Sequence, residues 1–119
     1  MIKFDLVEKT VMPNFRGGEG NFCVAMVKDE LNKIMRGQLD AGCSIGMHCH
    51  ETSSEIIFIL SGNGRTVCDG VEEAVTAGDC LYCKKGSSHT LINDSTAPLV
   101  FYAVVTEQQY EKDHDHAHL

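Results

Sequence analysis

The residues of this chain best suited to chemistry lie between positions 42 and 93. His48 and His50 are separated by one residue, Glu55 follows after four more, and His89 comes later in the chain. Three imidazoles and one carboxylate suit a divalent first-row transition metal such as Mn, Fe, Co, Ni or Zn, and they disfavour Ca. The sequence therefore predicts a metal site formed by these four side chains.

The spacing of these ligands requires β-strands to bring them together. Residues i and i+2 of a strand point to the same face, so a strand would direct His48 and His50 at one ion. Runs rich in β-forming residues recur through the chain and are separated by turn residues. Two of these turn segments, Asp69-Gly70 and residues 61–64, are interpreted as hairpin turns. The residues with helical character are only 28–33 and those from 107 onward. We expect strands at residues 2–7, 21–27, 34–39, 44–48, 55–60, 65–68, 71–76, 80–83, 89–93 and 99–105.

Many short strands with no long helix are typical of a sandwich or barrel, which would bring Glu55 and His89 to one interior point. The length of 119 residues indicates one domain, expected over residues 1–106, followed by a polar, His-rich tail over residues 107–119. In the tail, His114, His116 and His118 could bind Ni or Zn loosely, or could simply form a solvated terminus.

Composition narrows the possible partners. The formal net charge of −7 argues against binding to nucleic acid or to anionic lipid, since both require Lys and Arg. No apolar run reaches the roughly 18 residues of a membrane span, and the N-terminal residues lack the apolar stretch of a signal peptide. We therefore expect a cytoplasmic protein whose six cysteines are reduced.

The two ligand-bearing segments resemble the two motifs of the cupins. The first cupin motif is Gly, five residues, His-x-His, three or four residues, Glu, six residues, Gly. The second is Gly, five residues, Pro-x-Gly, two residues, His, three residues, Asn. Lys84 stands at the proline position, and every other motif position is matched, by Gly42, His48, His50, Glu55 and Gly62 in the first motif and by Gly78, Gly86, His89 and Asn93 in the second.

The resemblance implies a fold and an assembly. Cupins are double-sheet jelly rolls, so it implies an all-β, double-stranded β-helix barrel in a single domain. It also implies a homodimer, in which the predicted strand 2–7 could pair with the partner's sheet. The last predicted strand, 99–105, is apolar on both faces and agrees with such an interface.

The resemblance also implies that the barrel holds a metal and a small-molecule ligand. Four protein ligands on an octahedral ion leave two positions for water, a small oxygen-rich molecule or dioxygen. Such a site suggests a metal-dependent decarboxylase, dioxygenase or isomerase, although no catalytic residue beyond the ligands is identifiable. The alternatives are a non-catalytic binding or sensing module and a metal-handling protein.

Other residues offer weaker signals. Cys80 and Cys83 should face opposite sides of a strand, which opposes a shared metal or a disulfide between them. Cys49 should point away from the metal. A substrate carboxylate could be anchored by Arg16, or by Arg36 and Gln38 on one strand face, and Tyr82, Phe101 and Tyr102 are aromatic residues that could line the pocket.

Overall fold

The structure is a computed structural model that describes residues 1–108. Within these residues ten strands form two antiparallel sheets, one of order β1-β2-β3-β10-β5-β8 and one of order β4-β9-β6-β7. The predicted all-β jelly-roll barrel is therefore confirmed. The strands are β1 (Lys9–Pro13), β2 (Asn21–Lys28), β3 (Asn32–Leu39), β4 (Ser44–Cys49), β5 (Ser53–Ser61), β6 (Asn63–Cys68), β7 (Val71–Thr76), β8 (Cys80–Cys83), β9 (Ser88–Ile92) and β10 (Leu99–Glu107).

The core lies between the two sheets, because alternate residues of each strand point inward. In β5, Ile57 and Ile59 are each 2% exposed, whereas Phe58 between them is 48% exposed. The rings of Phe22 and Phe101 stack in the core with centroids 6.0 Å apart. Full burial of such a side chain contributes about 1.5–3 kcal/mol, so this inner face supplies much of the stability that holds the site.

The N-terminal segment differs from its prediction. Residues 2–7 do not form a strand; Phe4–Leu6 form a 3₁₀ turn instead, and the first strand is β1, which pairs with β2 of the same chain. The apolar residues at positions 2, 4 and 6 imitate the alternation of a strand, but Phe4 packs across the outside of the large sheet, with its ring centroid 5.5 Å from that of Tyr102. The strand expected to pair with a partner's sheet is therefore absent.

Residues 28–33 were predicted to have helical character, and this was also wrong. Residue 28 ends β2, residues 32 and 33 begin β3, and residues 29–31 form the tight turn between these strands. In this turn the Asp29 carboxylate accepts hydrogen bonds from the backbone N–H groups of Leu31 and Asn32 at 2.9 and 2.8 Å. These hydrogen bonds lower the pKa of Asp29. A local side-chain bond of this kind competes with helix formation, since it satisfies the same backbone donors. Among residues 1–108, no helix is long and apolar enough to cross a membrane.

The two expected turns have different outcomes. Asp69 and Gly70 form the predicted two-residue hairpin between β6 and β7, with φ angles of 48° and 82° that suit a type I′ turn. The segment 61–64 is not a hairpin, because β5 and β6 belong to different sheets. The His-rich tail lies outside the described residues except for Glu107 and Gln108, so its boundary and its metal binding stay predictions.

Candidate metal centre

The four side chains predicted as metal ligands lie together at one end of the barrel. His48 is on β4 and faces His89 on β9, where the two residues are cross-strand partners. His50 directly follows β4, and Glu55 comes from β5 in the opposite sheet. One potential ligand atom from each residue lies within 4.8 Å of the others, an arrangement that could hold a metal ion.

A β-bulge directs His48 into the barrel. Ile45 and His48 both line the interior cavity, yet they are three positions apart and would face opposite sides of a regular strand. The register between β4 and β9 shifts between these two residues, so β4 contains one extra residue there. His48 and His50 point to the same face, as the sequence predicted. The bulge turns both side chains toward the inner face, on which Ile45 also lies.

Hydrogen bonds orient the imidazole rings. His48 Nδ1 lies 2.8 Å from the carbonyl oxygen of Gly46, which can only accept, so Nδ1 carries the proton and Nε2 keeps its lone pair. His50 Nδ1 lies 3.1 Å from the hydroxyl of Ser53. Partners of this kind fix the tautomer and ring orientation of histidines that bind metals.

The remaining ligand atoms converge closely. Oε1 of Glu55 lies 3.0 Å from Nε2 of His50 and 2.9 Å from Nε2 of His89, and those two nitrogens are 3.0 Å apart. These three atoms carry lone pairs, which repel one another at such distances unless a proton or a cation lies between them. The donor set and its convergence therefore fit a divalent transition metal ion.

The electrostatics of the site favour the protonation states that bind metals. Burial lowers the pKa of His48, which keeps the ring neutral at physiological pH. Burial opposes ionisation of Glu55, but hydrogen bonds from His50 and His89 outweigh it and lower the pKa of Glu55 to about 2. An ionised carboxylate and an imidazole with a free lone pair are the forms that ligate a cation.

The candidate ligands line a cavity of about 210 Å³. Its walls are mostly apolar, and Phe101 lies among them, as one of the weaker hypotheses suggested. Arg16 also lines this cavity, together with Lys33, Glu51 and Cys49. The cavity therefore combines an apolar wall, a possible metal site and a few charged side chains, which is typical of small-ligand sites.

The other candidates from the sequence lie elsewhere. Tyr82 and Tyr102 are 56% and 39% exposed on the outside of the large sheet. Arg36 and Gln38 share an outward face, as expected, but they line a separate groove that includes Phe4. These four residues are therefore not part of the candidate site.

The cysteines of the described chain are all free thiols. Cys80 is exposed and Cys83 is buried, so the two face opposite sides of β8, as the sequence predicted. Burial raises the pKa of Cys83 to about 12, which keeps this thiol protonated and unreactive. Cys49 is exposed but lies at the rim of the cavity, so it does not point fully away from the site as expected.

Two supporting features were not identified from the sequence. The side-chain amide of Asn93 donates to the carbonyl oxygens of Leu39 and Ala97, both at 2.8 Å, so the last motif residue locks a loop rather than binding a ligand. Thr66 donates to the carbonyl oxygen of Thr90 at 2.6 Å, and Thr90 donates to that of Ile45 beside the bulge. The motif position could have indicated the role of Asn93, whereas no local pattern marks the threonine pair.

The turn with Lys84 in place of proline is fully formed. The N–H of Ser87 donates to the carbonyl oxygen of Lys84 at 2.9 Å, and Gly86 has φ of 89°, as position i+2 of a type II turn requires. The N–H of His50 donates to the carbonyl oxygen of Ser87 at 3.0 Å. This turn therefore anchors the backbone of a candidate ligand without needing the proline.

Comparison with known proteins agrees with the fold. The model of the cupin domain matches residues 35–105. A curated relative, the oxalate-binding protein of Thermotoga maritima, is 34% identical in an alignment 98 residues long that covers 77% of this chain and 81% of that protein. The chain therefore belongs to the cupin family, as the motifs indicated.

Solved structures give the same result. A crystal structure from Thermotoga maritima, described as a predicted oxalate decarboxylase, has a TM-score of 0.85 and 28% identity, covering 90% of this chain and 98% of that one. A cupin from Shewanella frigidimarina described as RmlC-like has a TM-score of 0.76 at 14% identity, over 96% and 94% of the two chains. The second similarity concerns the fold alone.

Proposed function

We propose that this protein holds one divalent transition metal ion through His48, His50, Glu55 and His89, and that it binds oxalate or a closely related small carboxylate beside that ion. The observation that carries the proposal is the convergence of these four ligand atoms, within 4.8 Å of one another, in the wall of a cavity. A bound divalent ion supplies Lewis-acid chemistry to a carboxylate. The ion is one of Mn, Fe, Co, Ni and Zn.

The residues around the site support a ligand of this kind. The cavity of about 210 Å³ suits a small molecule. Its apolar walls limit the water around a charged ligand, which strengthens electrostatic interactions inside the cavity. The name of the oxalate-binding protein of Thermotoga maritima and the description of the crystal structure from that organism as a predicted oxalate decarboxylase support oxalate as the ligand to test first.

We further propose that the protein is an enzyme of the decarboxylase, dioxygenase or isomerase type. Decarboxylation of oxalate would break the carbon–carbon bond, release carbon dioxide and add a proton to the remaining carbon to give formate. The alternative is a protein that binds its ligand without converting it, and the name of the oxalate-binding relative supports that alternative.

Measurements of metal content, ligand binding and turnover on one preparation test these proposals. Elemental analysis of protein purified without added metal identifies the ion; Fe or Mn would favour redox or oxygen chemistry, and Zn or Ni would favour Lewis-acid chemistry or metal handling. Isothermal titration calorimetry with oxalate then measures binding. Formate release and oxygen consumption measure turnover.

The outcomes separate the two functions. Binding with formate release would support a decarboxylase, and oxygen consumption would support an oxygen-dependent reaction. Binding with no loss of oxalate would favour the non-catalytic alternative. A preparation with one metal per chain and no heat of binding for oxalate would contradict the proposed ligand.

We also propose a cytoplasmic homodimer. The outer face of the six-stranded sheet exposes large apolar side chains, of which Phe58 is 48%, Tyr82 56% and Leu60 39% exposed. Exposed apolar patches of this kind often mark protein interfaces. A second copy of the chain packed on this face would leave the cavity between the two sheets open to its ligand.

A further inference from the structure

Arg16 lies at the candidate site in an unusual backbone conformation. It belongs to the 3₁₀ turn Phe15–Gly17, and its φ of 56° and ψ of 28° are in the left-handed region. Residues other than glycine adopt this region at a cost in free energy, and such outliers cluster at functional sites. The structure thus keeps a long, charged side chain at a position where glycine would be less strained.

Two glycines hold this turn against the strand that carries His48. A Cβ atom added to Gly46 would overlap the carbonyl oxygen of Arg16, and one added to Gly18 would overlap that of Ser44. The backbones of the turn and of β4 are therefore in direct contact. This contact places Arg16 in the wall of the cavity that His48, His50, Glu55 and His89 also line.

The guanidinium group of Arg16 is oriented and available. Its Cζ atom lies 5.4 Å from the centroid of the Phe15 ring, within the range of a cation–π contact. That ring packs on Phe22, with centroids 5.4 Å apart, so the core holds the surface on which the guanidinium lies.

The other two arginines differ, because each pairs with carboxylates: Arg36 with Asp5, and Arg65 with Glu72 and Asp94. Among residues 1–108, no carboxylate lies within ion-pairing distance of Arg16. A planar guanidinium that is free and held at a cavity wall is suited to a carboxylate, which it can bind through two parallel hydrogen bonds.

From this arrangement we infer that Arg16 binds the second carboxylate of a dianionic ligand and makes the site selective for dicarboxylates over monoanions. The inference rests on the proposed function. A divalent ion and the Glu55 carboxylate leave one net positive charge at the centre, because an imidazole that coordinates a metal ion is neutral. A monoanion neutralises that charge completely. A dianion leaves one excess negative charge, which Arg16 neutralises.

Oxalate and oxamate make a matched pair of probes. Oxamate has nearly the shape of oxalate, but an amide replaces one carboxylate, so it carries one negative charge fewer. Isothermal titration calorimetry of the metal-loaded protein gives Kd for both, and elemental analysis of each variant shows that the metal is retained. The variants are Arg16→Gln, Arg16→Lys and the control Lys33→Gln, which removes one positive charge from the same cavity wall.

Loss of a charged hydrogen-bonding partner should weaken oxalate binding about tenfold or more in Arg16→Gln. Oxamate binding should change by less than about threefold, because its second group is uncharged. Arg16→Lys should recover part of the loss, since it restores the charge without the two-pronged geometry. Lys33→Gln should leave the ratio of the two Kd values unchanged.

Several results would overturn the inference. If Arg16→Gln binds oxalate as tightly as the parent protein, the inference is wrong and the proposed function stands. Equal losses for oxalate and oxamate, or the same loss in Lys33→Gln, would also overturn it, because they would indicate a general charge effect. If the metal-loaded parent protein binds neither probe, the proposed function fails, and this inference fails with it.

Discussion

Removing the imidazoles of His48 on β4 and of His50 directly after it should abolish metal binding without unfolding the chain. The variant His48→Ala, His50→Ala deletes two of the four ligand atoms that lie within 4.8 Å of one another. It also leaves the Glu55 carboxylate with a hydrogen bond from His89 but none from His50. Two remaining ligands do not complete a transition-metal site, so the variant should contain no stoichiometric metal.

The effect on thermal stability follows from binding linkage. An ion present at about 100 times its Kd stabilises the folded state by about 2.7 kcal/mol. The entropy of unfolding is about 2.1 cal/mol/K per residue, or about 0.23 kcal/mol/K for a domain of the described size. The metal should therefore raise Tm by about 12 °C in the parent protein, and this increment should vanish in the variant.

The metal-free variant should still fold. The apolar core between the sheets is untouched, because the deleted rings belong to the ligand cluster, where they contact each other and His89 with ring centroids 4.7–4.9 Å apart. We expect a loss of about 1–2 kcal/mol in the metal-free state, which is within the range of ordinary substitutions. The circular dichroism spectrum should stay of the β type.

The assay combines elemental analysis with thermal melts in the presence and absence of a chelator. Met47→Ala is the matched control, because this residue is on the same strand and is 52% exposed. The control should keep one metal per chain and the full chelator-dependent shift. If the double variant retains stoichiometric metal, the assignment of the site is wrong.

Three further predictions concern the tail, the assembly and the turn. A chain truncated after Glu107 should fold and keep one metal per chain by elemental analysis, losing only weaker metal bound by the His-rich tail; an empty barrel site would instead indicate that the tail donates a ligand or loads the metal. Sedimentation at micromolar concentration should give twice the chain mass, because the apolar outer face of the large sheet would be covered, and a monomer at all concentrations would contradict the dimer. Gly46→Ala forces the turn of Arg16 away from β4 and should lower the free energy of unfolding by about 3 kcal/mol, as measured by thermal denaturation. In the control Gly17→Ala the added Cβ has no atom within 4 Å, and only the unfavourable φ of 82° opposes it, so the loss should be about 1 kcal/mol. Equal losses of stability in the two variants would show that the turn and β4 have room for a Cβ at position 46.

Much of the fold and the grouping of the candidate ligands could be predicted because each rests on a local pattern. The period of two in β5 fixes which side chains enter the core, and the separation of His48 and His50 fixes their shared face. The hairpin at Asp69-Gly70 is equally local, since the two residues supply the required positive φ angles. Patterns that involve only a few neighbouring residues can be recognised in a single sequence.

The errors arise where the outcome depends on the neighbours of a segment. Residues 2–7 alternate like a strand, but β1 pairs with β2 at that edge of the sheet, and Phe4 packs on Tyr102 on the outer face instead. Arg16 and Arg36 were equivalent candidates in the sequence. The fold places Arg16 at the cavity and Arg36 on the outer face, and only the packing of the turn on β4 separates them.

This packing also couples the two halves of the proposed site. Gly46 is in contact with the Arg16 carbonyl on one side, and its own carbonyl oxygen accepts the Nδ1–H of His48 at 2.8 Å. The residue that seats the ligand-binding turn is thus the residue that orients a metal ligand. A displacement of the turn is therefore transmitted through Gly46 to His48. In any variant that moves this contact, the affinity for a dicarboxylate and the affinity for the metal should change together. Arg16→Gln leaves the backbone in place and should change only the affinity for a dicarboxylate.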